Sequence, residues 1–539
     1  MKRTSLLITT SLIGLMSVSS GLAQTTDVQT GHNTWQDQQI NELTNIRYGE
    51  LSPTFLSHNK KSTSAFAKVN YNLARGKYHA PDQSGRENDL NVYFGGLKRI
   101  GKLDLSGYLK YVNQQADNQR WNSSLYLNPD NPFVLADSVL SDVTAESFHM
   151  NAAASYQFLP ALEAGLSIGL KTGSRSDQND PRPKTNSSVV PITAGIEWTP
   201  SKAWSFGLAG NIELYRSDIN YTLINNLIVY RYFVMKGMGD YYGVSTGSQT
   251  NYDRDYKGTS WQAAVHGVWQ PQGQWSDFLE LRIAGNNQKA TDGGSSYTFK
   301  GGEYKYTQWS LLNRLQYRPS DRVLHQLAIE ASYKSGNSTW SDQTRRVDTE
   351  HANRIYYEVL STYKVQKSKR LQGDLTYRFD RFKADKPDLY ATVNVGAVFN
   401  SDKHYTDAGW PKQKYTLAHV NLNAGKSWAL GNNTLTTSLG GGYYFTLGDK
   451  TFGSGNTSAS ALDITSAYVL PYYEYITGKH FNVGGQIDFN APLKSKSGNL
   501  SLGGFVKVWN NLYADNGEFS AKYKSKAFTN IDLGLYLTF

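Results

Sequence analysis

The 539-residue chain contains no cysteine, which excludes disulfides, thiolate metal sites and a cysteine nucleophile together. It also lacks long apolar runs: beyond its first two dozen residues, charges and amides interrupt every stretch before the roughly 20 apolar residues of a transmembrane helix accumulate. Mean hydropathy is −0.53. The formal charge is +10, yet no Lys/Arg block and no nucleic-acid motif accompanies it, so nucleic acid is excluded as a partner. The charges scatter through turns and loops, where they suit anionic lipid heads or a weak preference for anionic solutes. With 15 prolines dispersed along the chain, no linker marks a domain boundary, and one continuous architecture is expected.

The termini are more telling. Lys2 and Arg3 precede an apolar run from Leu6 to Met16 and the triplet Gly21-Leu22-Ala23, a secretory signal expected to be cleaved between Ala23 and Gln24. No cysteine follows it, so a lipoprotein anchor is not expected. At the other end Ile531, Leu533, Leu535 and Leu537 alternate with Asp532, Gly534, Tyr536 and Thr538, and Phe539 closes the run. A strand needs this alternation when one face meets lipid and the other a polar interior. The aromatic ending resembles the signal read by the bacterial barrel-assembly machinery.

The same alternation recurs. Ala65 to Leu73, Leu103 to Tyr111, Leu162 to Leu170, Phe206 to Leu214 and Leu389 to Phe399 each place apolar residues on every second position. Short turns such as Arg99-Ile100-Gly101-Lys102, Leu159-Pro160-Ala161 and Pro319-Ser320-Asp321-Arg322 separate pairs of runs. Longer polar segments, about 114–143, 175–188, 217–258, 291–304 and 336–353, separate the pairs from one another. The pattern predicts an all-β, antiparallel transmembrane β-barrel of about 18 to 20 strands over residues 62–539, with short periplasmic turns, long extracellular loops and outer-membrane lipid around it. Tyr, Trp and Phe number 37, 12 and 21, enough for two interfacial girdles. The second half is less regular. Treating 355–365 and 371–382 as separate strands gives about 20, whereas leaving 355–365 in a loop gives about 19, a parity that strands the last residue on the wrong side.

Residues 24–61 alternate poorly and are expected to be a periplasmic leader or a small plug folded into the lumen. The loop 217–258 holds Leu223, Ile224, Leu227, Ile228, Val229, Tyr230, Tyr232, Phe233, Val234 and Met235, too apolar for a solvated loop, and is expected to fold inward, bind a partner or form an extra extracellular hairpin.

Leu51-Ser52-Pro53-Thr54, Gly76-Lys77-Tyr78, Trp121-Asn122-Ser123-Ser124 and Pro132-Phe133-Val134-Leu135-Ala136-Asp137-Ser138, with the terminal strand, resemble a Bacteroides-type (Bacteroidota) outer-membrane barrel family of unknown function. The resemblance implies location and architecture over nearly the whole chain. It also implies a loose link to transport, with a TonB-type uptake system or a lipoprotein as possible partner, and no assigned activity.

Chemistry is hard to place. Gly243-Val244-Ser245-Thr246-Gly247 matches a nucleophile-elbow spacing, but no helical pattern follows it. His149, His325, His419 and His480 have no nucleophile motif beside them, and no catalytic, cofactor or metal residue is assigned. If the apolar faces look outward, the lumen is lined by Asp104, Lys110, Glu163, Lys171, Glu213, Glu280, Arg282, Arg314, Arg318, Glu330 and Asp532. Charges at membrane depth must face water or one another. The function expected is a channel or uptake-accessory barrel for small hydrophilic solutes, with a non-conducting docking barrel or a lipid hydrolase as alternatives.

Overall fold

A segment that is apolar on one face buries that face in lipid and must pair every backbone N–H and C=O with neighbouring strands, which only a closed ring achieves. The computed structural model describes residues 43–539 apart from 60–61, 226, 246–250, 294–297, 351–352, 384–385, 406–408, 456–462, 494–499, 515–521 and 524–525. The ring consists of β1 (Thr63–Gly76), β2 (Arg86–Ile100), β3 (Leu103–Gln119), β5 (Ser141–Leu159), β6 (Leu162–Asp177), β7 (Pro183–Ser201), β8 (Trp204–Thr222), β11 (Asn251–Trp269), β12 (Trp275–Asp292), β13 (Phe299–Ser320), β14 (Val323–Asp348), β15 (Arg354–Lys383), β16 (Lys386–His404), β17 (Lys412–Leu430), β18 (Asn433–Thr446), β19 (His480–Leu493), β20 (Leu500–Tyr513) and β21 (Ala527–Thr538). These 18 strands form one antiparallel sheet in sequential order. It closes where β1 pairs β21, with Val69 opposite Leu535 and Tyr71 opposite Leu533. Phe539 fixes the seam, exchanging backbone hydrogen bonds of 2.9 and 3.1 Å with Ala65. The even count returns the terminal strand to the end from which β1 begins.

Side-chain direction follows the register. Leu166, Ile196, Leu208, Val265, Leu281 and Leu535 face outward and are exposed, as a lipid-facing wall requires. Trp198, Trp204, Phe206, Trp269 and Trp275 gather at the short-turn end, where Trp204 stacks on Phe206 at 5.8 Å. Trp261 precedes Trp269 on β11 by about 26 Å of strand at 3.3 Å per residue, comparable to the roughly 25 Å apolar band of such barrels.

The second half corrects the sequence expectation. Residues 354–383 form one 30-residue strand, neither two strands nor a strand beside a loop. β14 pairs with it continuously from Asp348↔Arg354 to Val323↔Arg381, and register shifts at Ser338/Thr339 and Asp342/Gln343 switch the outward parity, which is why the alternation breaks in the sequence. Counting one strand keeps the connectors after β16 and β18 at the long-loop end. The expected loops are also shorter than the polar segments suggest: β6 and β7 leave only 178–182 between them. Above the membrane both strand faces are polar, so hydropathy loses the alternation while backbone pairing continues.

Two further elements occupy the ring. β4 (Leu135–Ala136), β9 (Arg231–Gly237) and β10 (Asp240–Ser245) make a separate three-stranded sheet in the order β10-β9-β4. The connector after β18 carries a π-helical turn, Thr465–Val469, that runs into helix α1, Leu470–Thr477.

Candidate functional site: an occupied lumen

The described part of the leader, from 43 to 59, lies against the inner wall at the short-turn end. Ser52 caps a 3-10 helix, Pro53–His58, accepting from Thr54 N at 3.4 Å, and Pro53 supplies the preset φ of a first helical position. The helix comes close to the wall because two paired wall positions have no side chain: Gly165 on β6 faces Gly195 on β7. A Cβ at 165 would lie 2.8 Å from Thr54 N, and one at 195 would collide with Ser52 Oγ.

Charge then fixes the segment. Arg47 Nη1 and Nη2 donate to the two carboxylate oxygens of Glu197 at 2.5 and 2.7 Å, and Arg47 also pairs with Glu50 at 3.3 Å. His58 Nε2 is 3.0 Å from Glu197 Oε1, and His266 Nε2 is 3.3 Å from Glu50 Oε1. Burial opposes the charge on Arg47, but the hydrogen bonds to Glu197 and the fields of Glu50 and Glu197 outweigh it and hold its pKa above the usual value. Burial lifts the Glu50 carboxyl despite Arg47 and His266. Glu50, Glu197 and His266 bring three potential ligand atoms within 4.8 Å of one another. Arg47 already pairs with both carboxylates, so the trio belongs to a buried ion-pair network, and a cation would have to compete with the guanidinium for them.

Sequence reasoning missed Arg47, Glu50, Glu197 and His266. Glu197 lies between the outward Ile196 and Trp198, so extending the alternation rule to that strand would have found it. Of the residues expected in the lumen, Glu280 is fully buried and accepts from Leu51 N at 3.1 Å, and Arg282 bonds both Glu280 and the Gly49 carbonyl. Glu163 accepts from Ser57 Oγ at 2.7 Å. Asp104 accepts from Arg99 Nε at 2.6 Å, and Arg99 reaches the Ser57 carbonyl at 2.6 Å. Arg314 lies 4.9 Å from the Tyr48 ring and 3.5 Å from Glu330. Arg318 covers Phe382 at 5.5 Å. Asp532 accepts from Asn70 at 2.7 Å. Lys110, Lys171 and Glu213 lie higher in the wall at inward positions. Ala23 and Gln24 lie outside the described residues.

The other end is covered by loops. The β3–β5 connector is pinned to inward-facing residues: Tyr256 donates to the Phe133 carbonyl at 2.7 Å, and Tyr215 to the Leu125 carbonyl at 3.1 Å. Arg254, itself held by Asp292 at 2.5 and 2.8 Å, donates to the Phe133 carbonyl at 3.2 Å. The apolar loop 217–258 resolves as the β9–β10 hairpin, turned inward: Tyr232 and Val234 are buried with Phe133, Tyr256, Tyr304 and Trp340. A second cluster joins Trp121, Phe233, Met235 and Tyr241 to Ile464 and Val469. The connectors that supply it leave the ring between β3 and β5, between β8 and β11, and between β18 and β19, so opposite sides of the mouth meet in one core. Asp240 ties the hairpin to β16 through His404 at 3.0 Å and pairs within the hairpin with Lys236 at 2.9 Å.

The candidate histidines sit on different strands, each with its own partner. His325 faces outward against Tyr377 at 2.7 Å, His419 meets Asn394 at 2.7 Å, and His480 meets Tyr78 at 3.1 Å. Gly243, Val244 and Ser245 end β10, and Thr246 and Gly247 lie outside the described residues.

Fold and site together define an 18-stranded transmembrane β-barrel with chain packed into its lumen from both ends. The chain belongs to a family of unknown function (DUF6850), whose model matches residues 53–539. No curated protein matches it. Among solved structures it is similar to the copper transporter OprC, at 12% identity over 87% of this chain and 80% of that one, with a TM-score of 0.39. It is also similar to the RagAB peptide transporter, at 7% identity over 89% and 87%, with a TM-score of 0.42. A third similar structure is a Pseudomonas aeruginosa FadL homologue, at 10% identity over 90% and 92%, with a TM-score of 0.32. Nothing of those proteins' cargo transfers to this chain at such values.

Proposed function

We propose that the protein is a non-enzymatic outer-membrane barrel for small hydrophilic solutes, closed at rest by the loop cap above and narrowed, not sealed, by residues 43–59 below, and working alone or with an uptake partner. The observation that supports this best is the pairing of a polar, charged inner wall with an apolar cap contributed from opposite sides of the mouth. A barrel needed only as a scaffold has no use for wetted charges at membrane depth. The cap's connectors pack on one another through Trp121, Phe233, Met235, Ile464 and Val469, so loosening that core would part them over the mouth.

Planar-bilayer recording tests the reading. The intact protein is expected to conduct little and intermittently, and Trp121→Ala with Phe233→Ala to conduct steadily. A correctly assembled, heat-modifiable double variant that conducts no more than bare lipid would overturn it.

A docking role is the second reading. It is favoured by the loop tip after β8, where Leu227 is 90% exposed and Ile224 65%.

A further inference from the structure

The inward wall carries a row of basic residues, two of which, Lys110 and Lys171, form no salt bridge with plug or cap among the described residues. Lys68 on β1 is paired with Tyr93 on β2, Tyr93 with Lys110 on β3, Lys110 with His149 on β5, and His149 with Lys171 on β6. Cross-strand partners share a face, so three lysines and a histidine form one row across five neighbouring strands. At about 4.8 Å between strands the row spans roughly 19 Å of wall. The inward positions two residues to either side, from Phe66 and Asn70 on β1 to Gly169 and Gly173 on β6, carry no carboxylate. Other acids do face this lumen: Asp89 is four residues along from Tyr93, and Asp532 and Glu213 flank the row on β21 and β8. None of them forms a salt bridge with Lys110 or Lys171 among the described residues. All members of the row are half-buried, not sealed within the wall.

The cap contributes a roof. Tyr126, from the β3–β5 connector, sits 3.8 Å from Lys171 Nζ and edge-on to His149 at 6.2 Å. Positive side chains clustered in a low-dielectric wall concentrate anions and raise their local population relative to cations.

We infer that this row is the selectivity element of the barrel and that the solute class it admits is small anions. The inference rests on the passage reading above and names the cargo for it. The test measures reversal potentials across a KCl gradient in the cap-opened Trp121→Ala, Phe233→Ala protein. Chloride is expected to permeate better than potassium. Adding Lys110→Gln and Lys171→Gln should lower the permeability ratio at least about threefold, and the Lys110→Arg, Lys171→Arg pair should retain it. A conducting barrel with no anion preference, or one whose preference survives the glutamine pair, would overturn the anion inference and leave the passage reading standing. Absence of any conductance would remove both.

Discussion

Arg47 and Glu197, 150 residues apart in sequence, form a bidentate ion pair buried between the leader and the wall. The pair is the hub on which Glu50, His58 and His266 converge. Removing one member of a buried pair leaves the other uncompensated, at a cost of about 3–5 kcal/mol. Arg47→Ala is therefore expected to free residues 43–59 without disassembling the ring. Limited proteolysis should cleave that segment in the variant and spare it in the parent, while heat-modifiable mobility stays unchanged.

The glycine pair gives a steric route to the same outcome. Gly195→Val places methyl groups where Ser52 now packs, and Gly165→Val does so at Thr54. Either is expected to expel the 3-10 helix, read as faster hydrogen exchange across 53–58. Gly101→Ala, at a turn with open space around it, should leave that exchange unchanged although its positive φ of 60° weakens the turn itself.

The cap carries a pH dependence of definite sign. Burial pushes the Asp137 carboxyl up to about 7, although the Val139 amide donates to it. The docked loop thus holds a proton that the undocked loop, with an ordinary value of 3.8, gives up. Docking is favoured below that ordinary value and loses stability as pH rises from about 4 to about 7. Exchange in the β9–β10 hairpin should quicken across that window, and Asp137→Asn should flatten the response.

Lipid-facing positions on β21 set a contrast with lumen-facing ones. Leu535, 65% exposed on the outer face, is expected to cost about 2–4 kcal/mol when replaced by Arg. The inward Asp532→Asn change should cost less, since Asn70 can still hydrogen-bond the amide. Urea titration of the folded band in semi-native gels measures both.

What could be read from the sequence follows from where alternation survives. The ring was legible because each strand within the apolar band has one lipid face, and Phe539 marks the last of them. The strand 354–383 breaks the expected alternation because two extra residues within it, Leu360 and Val365, switch parity within one uninterrupted ladder. The leader's packing was not legible at all: Arg47 and Glu197 meet through closure of the ring, and neither local pattern nor spacing encodes a contact over 150 residues. The β9–β10 hairpin stood between. Its apolar residues marked it as unsuited to water, but only the inward faces of β8, β11 and β13 show what covers it.

The absence of native cysteine makes one measurement decisive. Lys110→Cys and Leu109→Cys can each be placed in the parent and in the Trp121→Ala, Phe233→Ala background, reconstituted in vesicles and exposed to a membrane-impermeant maleimide. A water-filled lumen gated by its cap requires that position 110 react only in the cap-opened protein and that position 109 stay protected in both. Labelling of 109 in preference to 110, or equal labelling of 110 with the cap intact and opened, would contradict it.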